Sequence, residues 1–248
     1  MLEFVHADIR RSARTVLGDV TFSLPKGSLT ALVGKNGCGK STLISTLTGE
    51  SRYTGSILLD GHELSSLSAR ERARLAAVLP QAVLAPHMTV GELVRLGRTP
   101  YLSPISRFEG NDEAIVARAI FDVGMDGMQD RYLDEISGGE RQKAYLAMIL
   151  AQEPDLLLLD EPTTYMDLSY SHRFMELLGE LTREQGKTML VAIHDLNLAI
   201  RYADYVAILD GGTLTAFASR EECLEKRLIE DTFGVHRADA EGNTFFIA

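Results

Sequence analysis

With 248 residues, 45% of them hydrophobic, the chain can bury a sizeable core as one large domain or two small lobes. Its formal net charge of -10 argues against nucleic acid as the main partner, because a surface that tracks phosphate backbone must be basic. Cys38 and Cys223 form no metal-ligand cluster and read as free thiols of a reducing compartment; with no secretory h-region in Met1–Arg14 and no spanning run, any membrane role is expected to come through a partner.

Residues 1–33 read as β structure. Leu2-Glu3-Phe4-Val5-His6-Ala7 and Val20-Thr21-Phe22-Ser23-Leu24 alternate at the two-residue period of half-buried strands, and Pro25-Lys26-Gly27 is a turn. Leu29-Thr30-Ala31-Leu32-Val33 is a buried strand, and Ser41 to Leu47 is a helix. Between them runs Gly34-Lys35-Asn36-Gly37-Cys38-Gly39-Lys40-Ser41-Thr42, which fits G-x-x-x-x-G-K-[ST] in the strand–loop–helix context that motif requires. The glycines let backbone N–H groups curl around a phosphate chain, and the helix beginning near Gly39 adds its positive dipole end. Lys40 is placed to reach the β- and γ-phosphates, and Ser41 to offer its hydroxyl to Mg²⁺.

Gly55 to Leu59 predicts a strand entering a hairpin at Asp60-Gly61. Ser68 caps a short exposed helix to Leu75, and Ala76-Ala77-Val78-Leu79-Pro80 is a core strand ending at Gln81. From Pro86 to Gln152 the pattern becomes helical. Thr89 caps one helix, Asn111 caps a second over Asp112 to Val123, and Ser137 starts a third to about Ala151. We read residues 85–152 as a helical subdomain inserted into a nucleotide-binding core of residues 1–84 and 153–248.

Leu156-Leu157-Leu158-Leu159-Asp160 is a continuous apolar run, the mark of a central parallel strand. Leu168 to Gln185 is an amphipathic helix. Met189 to His194 is a strand, Leu196 to Ala203 a helix, and Tyr205–Asp210 with Thr213–Ala218 a hairpin across Gly211-Gly212. One short helix near Glu221 to Asp231 and a last strand near Thr244 to Ile247 close the chain. Strand–helix alternation around the phosphate loop implies a mostly parallel α/β sheet.

Asp160 ends its strand at the edge where α/β sheets bind ligands, which suits a second Mg²⁺ contact. Glu161 can take a proton from, or orient, water attacking the γ-phosphate. Two acids at a strand end can also merely cap the next helix. His194 can hydrogen-bond the γ-phosphate or hold the attacking water, although a lone strand-end His is usually structural. Gln81 can offer its amide oxygen to Mg²⁺ or water. Ile136-Ser137-Gly138-Gly139-Glu140 opens a helix with a strong cap and two glycines that disfavour helix by about 1 kcal/mol each. Beyond a plain capped helix, this suits an anion site where backbone is closely approached. A second anion site in one chain makes sense if it grips the nucleotide of another copy.

The order phosphate loop, Gln81, Ile136-Ser137-Gly138-Gly139-Glu140, Asp160-Glu161, His194 resembles the nucleotide-binding subunit of ABC transporters, from about Leu2 to Gly234. The resemblance implies an ABC ATPase cassette: a P-loop NTPase core with a mostly parallel sheet, an antiparallel β subdomain and an inserted helical subdomain. It implies ATP and Mg²⁺ as ligands and a head-to-tail dimer in which two ATP molecules are sandwiched between Gly34–Thr42 of one copy and Ser137–Gly139 of the other. It further implies Glu161 as the catalytic base, His194 as the switch residue, Gln81 as the Mg²⁺ and coupling sensor, and Asp167 in a loop crossing to the partner.

A finer resemblance lies in Gly97-Arg98-Thr99-Pro100-Tyr101, Ser137-Gly138-Gly139-Glu140-Arg141-Gln142, Leu150-Ala151-Gln152-Glu153-Pro154, Asp160-Glu161-Pro162-Thr163-Thr164 and His194-Asp195-Leu196-Asn197. These look like importers of ferric siderophores, haem and cobalamin, bacterial systems with a permease dimer and a substrate-binding protein. A peripheral position on the cytoplasmic face of the bacterial inner membrane follows, with the permease docked near Gln81 to Arg107. The alternatives are an ABC ATPase for another cargo, an exporter, or a non-transport ABC ATPase; the single cassette and acidic balance disfavour the last.

Three departures stand out. Glu140 replaces the commoner Gln. Tyr165-Met166-Asp167 puts a bulky residue at the expected dimer seam. Arg11 occupies the place of the aromatic that usually stacks on adenine; a guanidinium can stack on a base, and a weaker adenine grip predicts tolerance for GTP.

Overall fold

The apolar strands carry two cores, one on each face of a single sheet. In β3 (Leu29–Gly34), Leu29, Ala31 and Val33 point to one core and Leu32 to the other. In β7 (Leu156–Asp160), Leu157 and Leu159 oppose Leu156 and Leu158, and in β8 (Thr188–Ala192), Met189 and Val191 oppose Leu190 and Ala192. Alternate side chains go to opposite faces, and both faces are covered, so these strands read as unbroken apolar runs. The computed structural model describes residues 1–102, 110–164, 166–240 and 243–247.

The remaining strands are β1 (Leu2–Arg11), β2 (Arg14–Ser23), β4 (Arg52–Leu59), β5 (His62–Glu63), β6 (Ala76–Leu79), β9 (Tyr205–Asp210) and β10 (Thr213–Ser219). Among the described residues the sheet has ten strands in the order β5-β4-β1-β2-β10-β9-β3-β8-β7-β6. From β9 to β6 the pairing is parallel throughout. The β5-β4-β1-β2 end is antiparallel and joins the rest through one parallel pairing, Thr213 with Gly18. A separate hairpin pairs β11 (His236–Ala240) with β12 (Asn243–Ile247).

Helix α1 (Lys40–Thr48) packs Leu43, Ile44 and Leu47 into one core, while α2 (Ala69–Leu75) buries none of its residues. On the opposite face lie α3 (Val90–Leu96), α4 (Gly110–Asp122), α5 (Gly138–Ala151), α6 (Leu168–Gln185) and α7 (Leu196–Tyr202), and the apolar stripes of α3–α5 are continuous with that core. The chain continues through α8 (Arg220–Glu225) and α9 (Leu228–Phe233) to the terminal hairpin. Ser68, Thr89 and Ser137 each cap a helix through a complete capping box, a Glu three residues on returning the bond.

Several expectations needed correction. Asn111 lies inside α4, which starts at Gly110. The helix expected over Glu221 to Asp231 is two helices, broken where Arg227 adopts φ 53. The terminal strand has a partner, β11, whose sequence His-Arg-Ala-Asp-Ala carries no apolar alternation. Gln81 and His194 do not end strands: β6 stops at Leu79 and β8 at Ala192, so each side chain sits on the loop two residues beyond. Of the residues singled out in sequence, Tyr165 and the Ser103–Arg107 part of the expected permease-docking stretch lie outside the described residues.

Candidate functional site

Strand β3 delivers the chain into Gly34–Thr42 with every β3 residue buried. A Cβ on Gly34 would stand 2.5 Å from both Cys38 Sγ and the Leu209 carbonyl oxygen, so the loop folds back onto β9 only with glycine there. Gly39 enters α1 at φ 115, where a Cβ would meet Leu17 at 2.8 Å. No side chain caps α1, so its first-turn N–H groups are left for a ligand. They face a cavity of about 1020 Å³ lined by the whole of Lys35 to Thr42. Burial pushes the Cys38 thiol up, against the pull of Lys40.

In the wall of this cavity three predicted residues meet on the carboxylate of a fourth, Glu161. Glu161 is 8% exposed and takes φ 50, with its N–H donating to the Ala192 carbonyl at 3.1 Å. Its Oε1 lies 2.5 Å from His194 Nε2 and 3.6 Å from Lys40 Nζ. Its Oε2 accepts from Gln81 Nε2 at 2.7 Å. Lys40, itself buried, also donates to the Gly34 carbonyl at 2.9 Å. Chemically this is a carboxylate fixed by three donors beside a phosphate-binding loop, a group able to accept a proton from water.

Asp160 lines a smaller cavity of about 360 Å³ with Ser45, Glu50 and the two residues it has in common with the first cavity, Ser41 and Arg11. Burial raises its carboxyl above the usual range, against the Ser41 hydroxyl and Lys40, which lower it. Its Oδ1 is buried with no hydrogen-bond partner. A buried oxygen left unpaired is costly. Beside a serine hydroxyl, that orphan fits a hard divalent cation. Among the described residues no three His, Cys, Asp or Glu side chains cluster to hold a metal alone. Such a cation would therefore complete its shell with ligand and water oxygens. Gln81, predicted as a further metal contact, commits its amide nitrogen to Glu161 and has its oxygen to offer.

The tip of the β1–β2 hairpin, where Arg11 stands opposite Arg14, also lines the cavity. Sequence reasoning found Arg11 and missed Arg14, Val16 and Gly212, which also line it. A surface arginine carries no local signal; only the strand register brings it to the site.

Ser137, Gly138 and Gly139 do not line this cavity. Ser137 N and Oγ donate to Glu140 Oε2 at 2.9 and 2.7 Å, and Glu140 N donates back to Ser137 Oγ at 3.2 Å. Around Gly138 a Cβ would find open space, whereas on Gly139 it would stand 2.5 Å from the Tyr170 ring. Asp167 caps α6, its Oδ1 accepting from Tyr170 N at 2.8 Å.

Comparison with known proteins shows what the chain as a whole is similar to. The family described as ABC transporter is matched over residues 17–164. The chain is 40% identical over 230 residues to the iron(3+)-hydroxamate import ATP-binding protein FhuC of Bacillus subtilis (strain 168), covering 92% of this chain and 84% of that protein. It is 40% identical over 223 residues to the ferric enterobactin transport ATP-binding protein FepC of Escherichia coli (strain K12), covering 89% and 82%. It is 39% identical over 242 residues to the hemin import ATP-binding protein HmuV of Pseudomonas fluorescens (strain Pf0-1), covering 95% and 93%. A solved chain from a metal-chelate type ABC transporter in an inward-facing conformation superposes with a TM-score of 0.84 at 25% identity, over 99% of this chain and 96% of that one.

Proposed function

The chain belongs to the ABC transporter family, and on that premise we propose that it is the ATP-hydrolysing subunit of an importer, energising uptake of an iron complex (a ferric siderophore or haem) or a related metal chelate through a membrane permease. The observation that carries the catalytic reading is the meeting of Lys40, Gln81 and His194 on Glu161 in the wall of the phosphate-loop cavity.

ATP lies with its phosphates along Gly34–Thr42, held by the loop N–H groups. Lys40 exchanges the Gly34 carbonyl for phosphate oxygens. Glu161 takes the proton of the attacking water, and His194, 2.5 Å away, orients that carboxylate and contacts the γ-phosphate. Gln81 ties Glu161 to the loop that leads into the α3–α5 block, so occupancy of the site is felt there. Ser41 and Asp160 would hold Mg²⁺, which when bound neutralises phosphate charge; the orphaned Asp160 Oδ1 supports that fit.

Because Ser137–Gly139 stand away from their own chain's cavity, we propose that they close the cavity of a second copy in a head-to-tail dimer. The dimer would work with permease subunits and, through them, a substrate-binding protein, from the cytoplasmic face of the bacterial inner membrane. Among the described residues no helix is long and apolar enough to cross a membrane.

The test is Glu161→Gln. Phosphate release should fall about a hundredfold or more, while ATP binding persists and an ATP-bound dimer accumulates in size-exclusion chromatography. Normal turnover would remove Glu161 as the base. The importer reading is tested in vesicles carrying the permease complex: ATPase activity should rise when a binding protein loaded with a ferric chelate is added, and no rise with any iron complex would refute it.

A further inference from the structure

We propose that Asn197 is a positioning residue for ATP hydrolysis: it ties the start of α7, and with it His194, to the β11–β12 hairpin, so that the hairpin sets where the His194 ring meets Glu161. The proposal rests on the catalytic reading of Glu161 and His194 above and deepens it by naming what holds the histidine in place.

The His194 ring is held by little of its own. Among the described residues its one close polar contact is Glu161 Oε1 at 2.5 Å, and 41% of its side chain is exposed. Its place is therefore set by the backbone on either side. Upstream, Ile193 N donates to the Leu32 carbonyl at 3.1 Å and anchors the loop to β3. Downstream, the loop runs straight into α7, which is capped by Asp195. Asp195 Oδ1 accepts from Asn197 N at 2.8 Å and from Leu198 N at 3.2 Å. A helix of seven residues does not hold itself together in water, so its packing fixes its position.

Part of that packing is core: Leu198, Ala199 and Ile200 are buried. The rest comes from β12. Asn197 Oδ1 accepts from Phe246 N at 2.7 Å, and the Phe246 ring is buried in the same core as the α7 residues. Asn197 thus carries two bonds at once. Its backbone N–H completes the cap next to His194, and its side-chain oxygen takes the hairpin.

The hairpin adds little else to the fold. Two strands alone are marginal in water, and these two stand apart from the ten-stranded sheet. Among its described side chains Phe246 alone is buried, while Phe245 and Ile247 are exposed. A part-buried N–H can be satisfied by water. Bonded to Asn197 instead, it couples the hairpin to the loop that carries His194. A small displacement of a catalytic group lowers turnover far more than it lowers substrate binding.

The experiment uses the whole 248-residue chain. It measures kcat and KM for ATP and the affinity of a fluorescent ATP analogue, each well below the melting temperature. Asn197→Ala removes the acceptor while placing a better helix former in α7. We expect kcat to fall about tenfold, with analogue affinity unchanged. Asn197→Asp keeps an acceptor oxygen and should recover most of that loss. In a His194→Ala background, Asn197→Ala should lower kcat no further, because effects that run through one residue do not add. The proposal is overturned if Asn197→Ala lowers the melting temperature but leaves kcat alone, or if it lowers kcat equally in both backgrounds. It is equally overturned if Asn197→Asp is as slow as Asn197→Ala. If His194→Ala itself keeps wild-type kcat, the catalytic reading of His194 fails and this proposal falls with it. If His194→Ala is slow and Asn197→Ala is not, that reading stands and this proposal alone falls.

Discussion

Two helices of this chain begin in glycine-rich sequence, and they begin in opposite ways. Helix α1 starts at Gly39 in a left-handed conformation with no side-chain cap. Helix α5 starts at Ser137 in an extended conformation with a complete capping box supplied by Glu140. The first therefore presents free N–H groups beside a buried lysine, a preformed phosphate site. In the second, the box satisfies the Ser137 and Glu140 N–H groups and ties the Ser137 hydroxyl to the Glu140 carboxylate, while the Gly138 and Gly139 N–H groups take no part in it. At α5 an arriving phosphate therefore meets a carboxylate already bound to the serine hydroxyl, which α1 lacks. A single chain thus holds one bare helix start and one with its own carboxylate beside it.

The largest effect is expected on the open helix. Lys40→Ala removes a buried ammonium that also faces Glu161 at 3.6 Å. Truncating one partner of such a buried charge contact costs several kcal/mol, so ATP affinity should fall about a hundredfold or more in a direct binding titration. Retained affinity would mean that the N–H groups of α1 suffice, and the contrast between the helices would rest on capping alone.

The closed helix separates packing from ligand contact. Gly139→Ala drives a Cβ into the Tyr170 ring, which must move or push α5 away. Overpacking of that kind costs about 1–3 kcal/mol, visible as a lowered melting temperature, and Tyr170→Ala in the same chain should restore it. Gly138→Ala meets nothing. It should melt at the wild-type temperature or slightly above, yet lose ATPase activity if another copy's nucleotide seats there. Full activity in a stable Gly138→Ala protein would break the proposed role of this helix start.

Asp160→Asn tests the cation side of α1. A carboxylate raised by burial, with an orphaned oxygen, is a liability in the empty chain. Removing its charge should raise the melting temperature without nucleotide by about 2 °C. It should also weaken the dependence of ATP binding on added Mg²⁺. A lowered melting temperature would mean that Asp160 serves the fold.

Why the sequence exposed some of this and hid the rest follows from range. The phosphate loop, the apolar run ending at Asp160 and the caps at Ser68, Thr89 and Ser137 are local patterns, so they were placed to within a residue or two. The strand-end position given to His194 failed because Ile193 is buried like the strand before it, and that given to Gln81 because the exposed Pro80 has no N–H to extend the ladder. Bonds to Glu161 from residues 80 positions upstream and 33 downstream depend on the order of β6, β7 and β8, which no local window contains. Arg14 came to light only through its register opposite Arg11. The positive φ of Glu161 left no trace in residue type, because such conformations normally go to Gly, Asn or Asp.

The smallest expected effect is the most informative about the second helix. The Ser137 hydroxyl and N–H hold the Glu140 carboxyl below its ordinary range. A lowered folded-state pKa contributes stability above the unfolded value that is lost as pH falls through the folded one. Glu140→Gln can still complete a capping box. It should cost less than about 1 kcal/mol near neutral pH, and its melting temperature should fall less steeply than that of the wild type on the acid side. The same change removes a negative charge from the place where an incoming phosphate must arrive. ATP-dependent dimerisation should therefore tighten, measured by sedimentation of the Glu161→Gln background with and without the second substitution. If dimerisation weakens instead, the carboxylate assists closure, and the contrast between an open and a self-occupied helix start would no longer describe how the two ends meet.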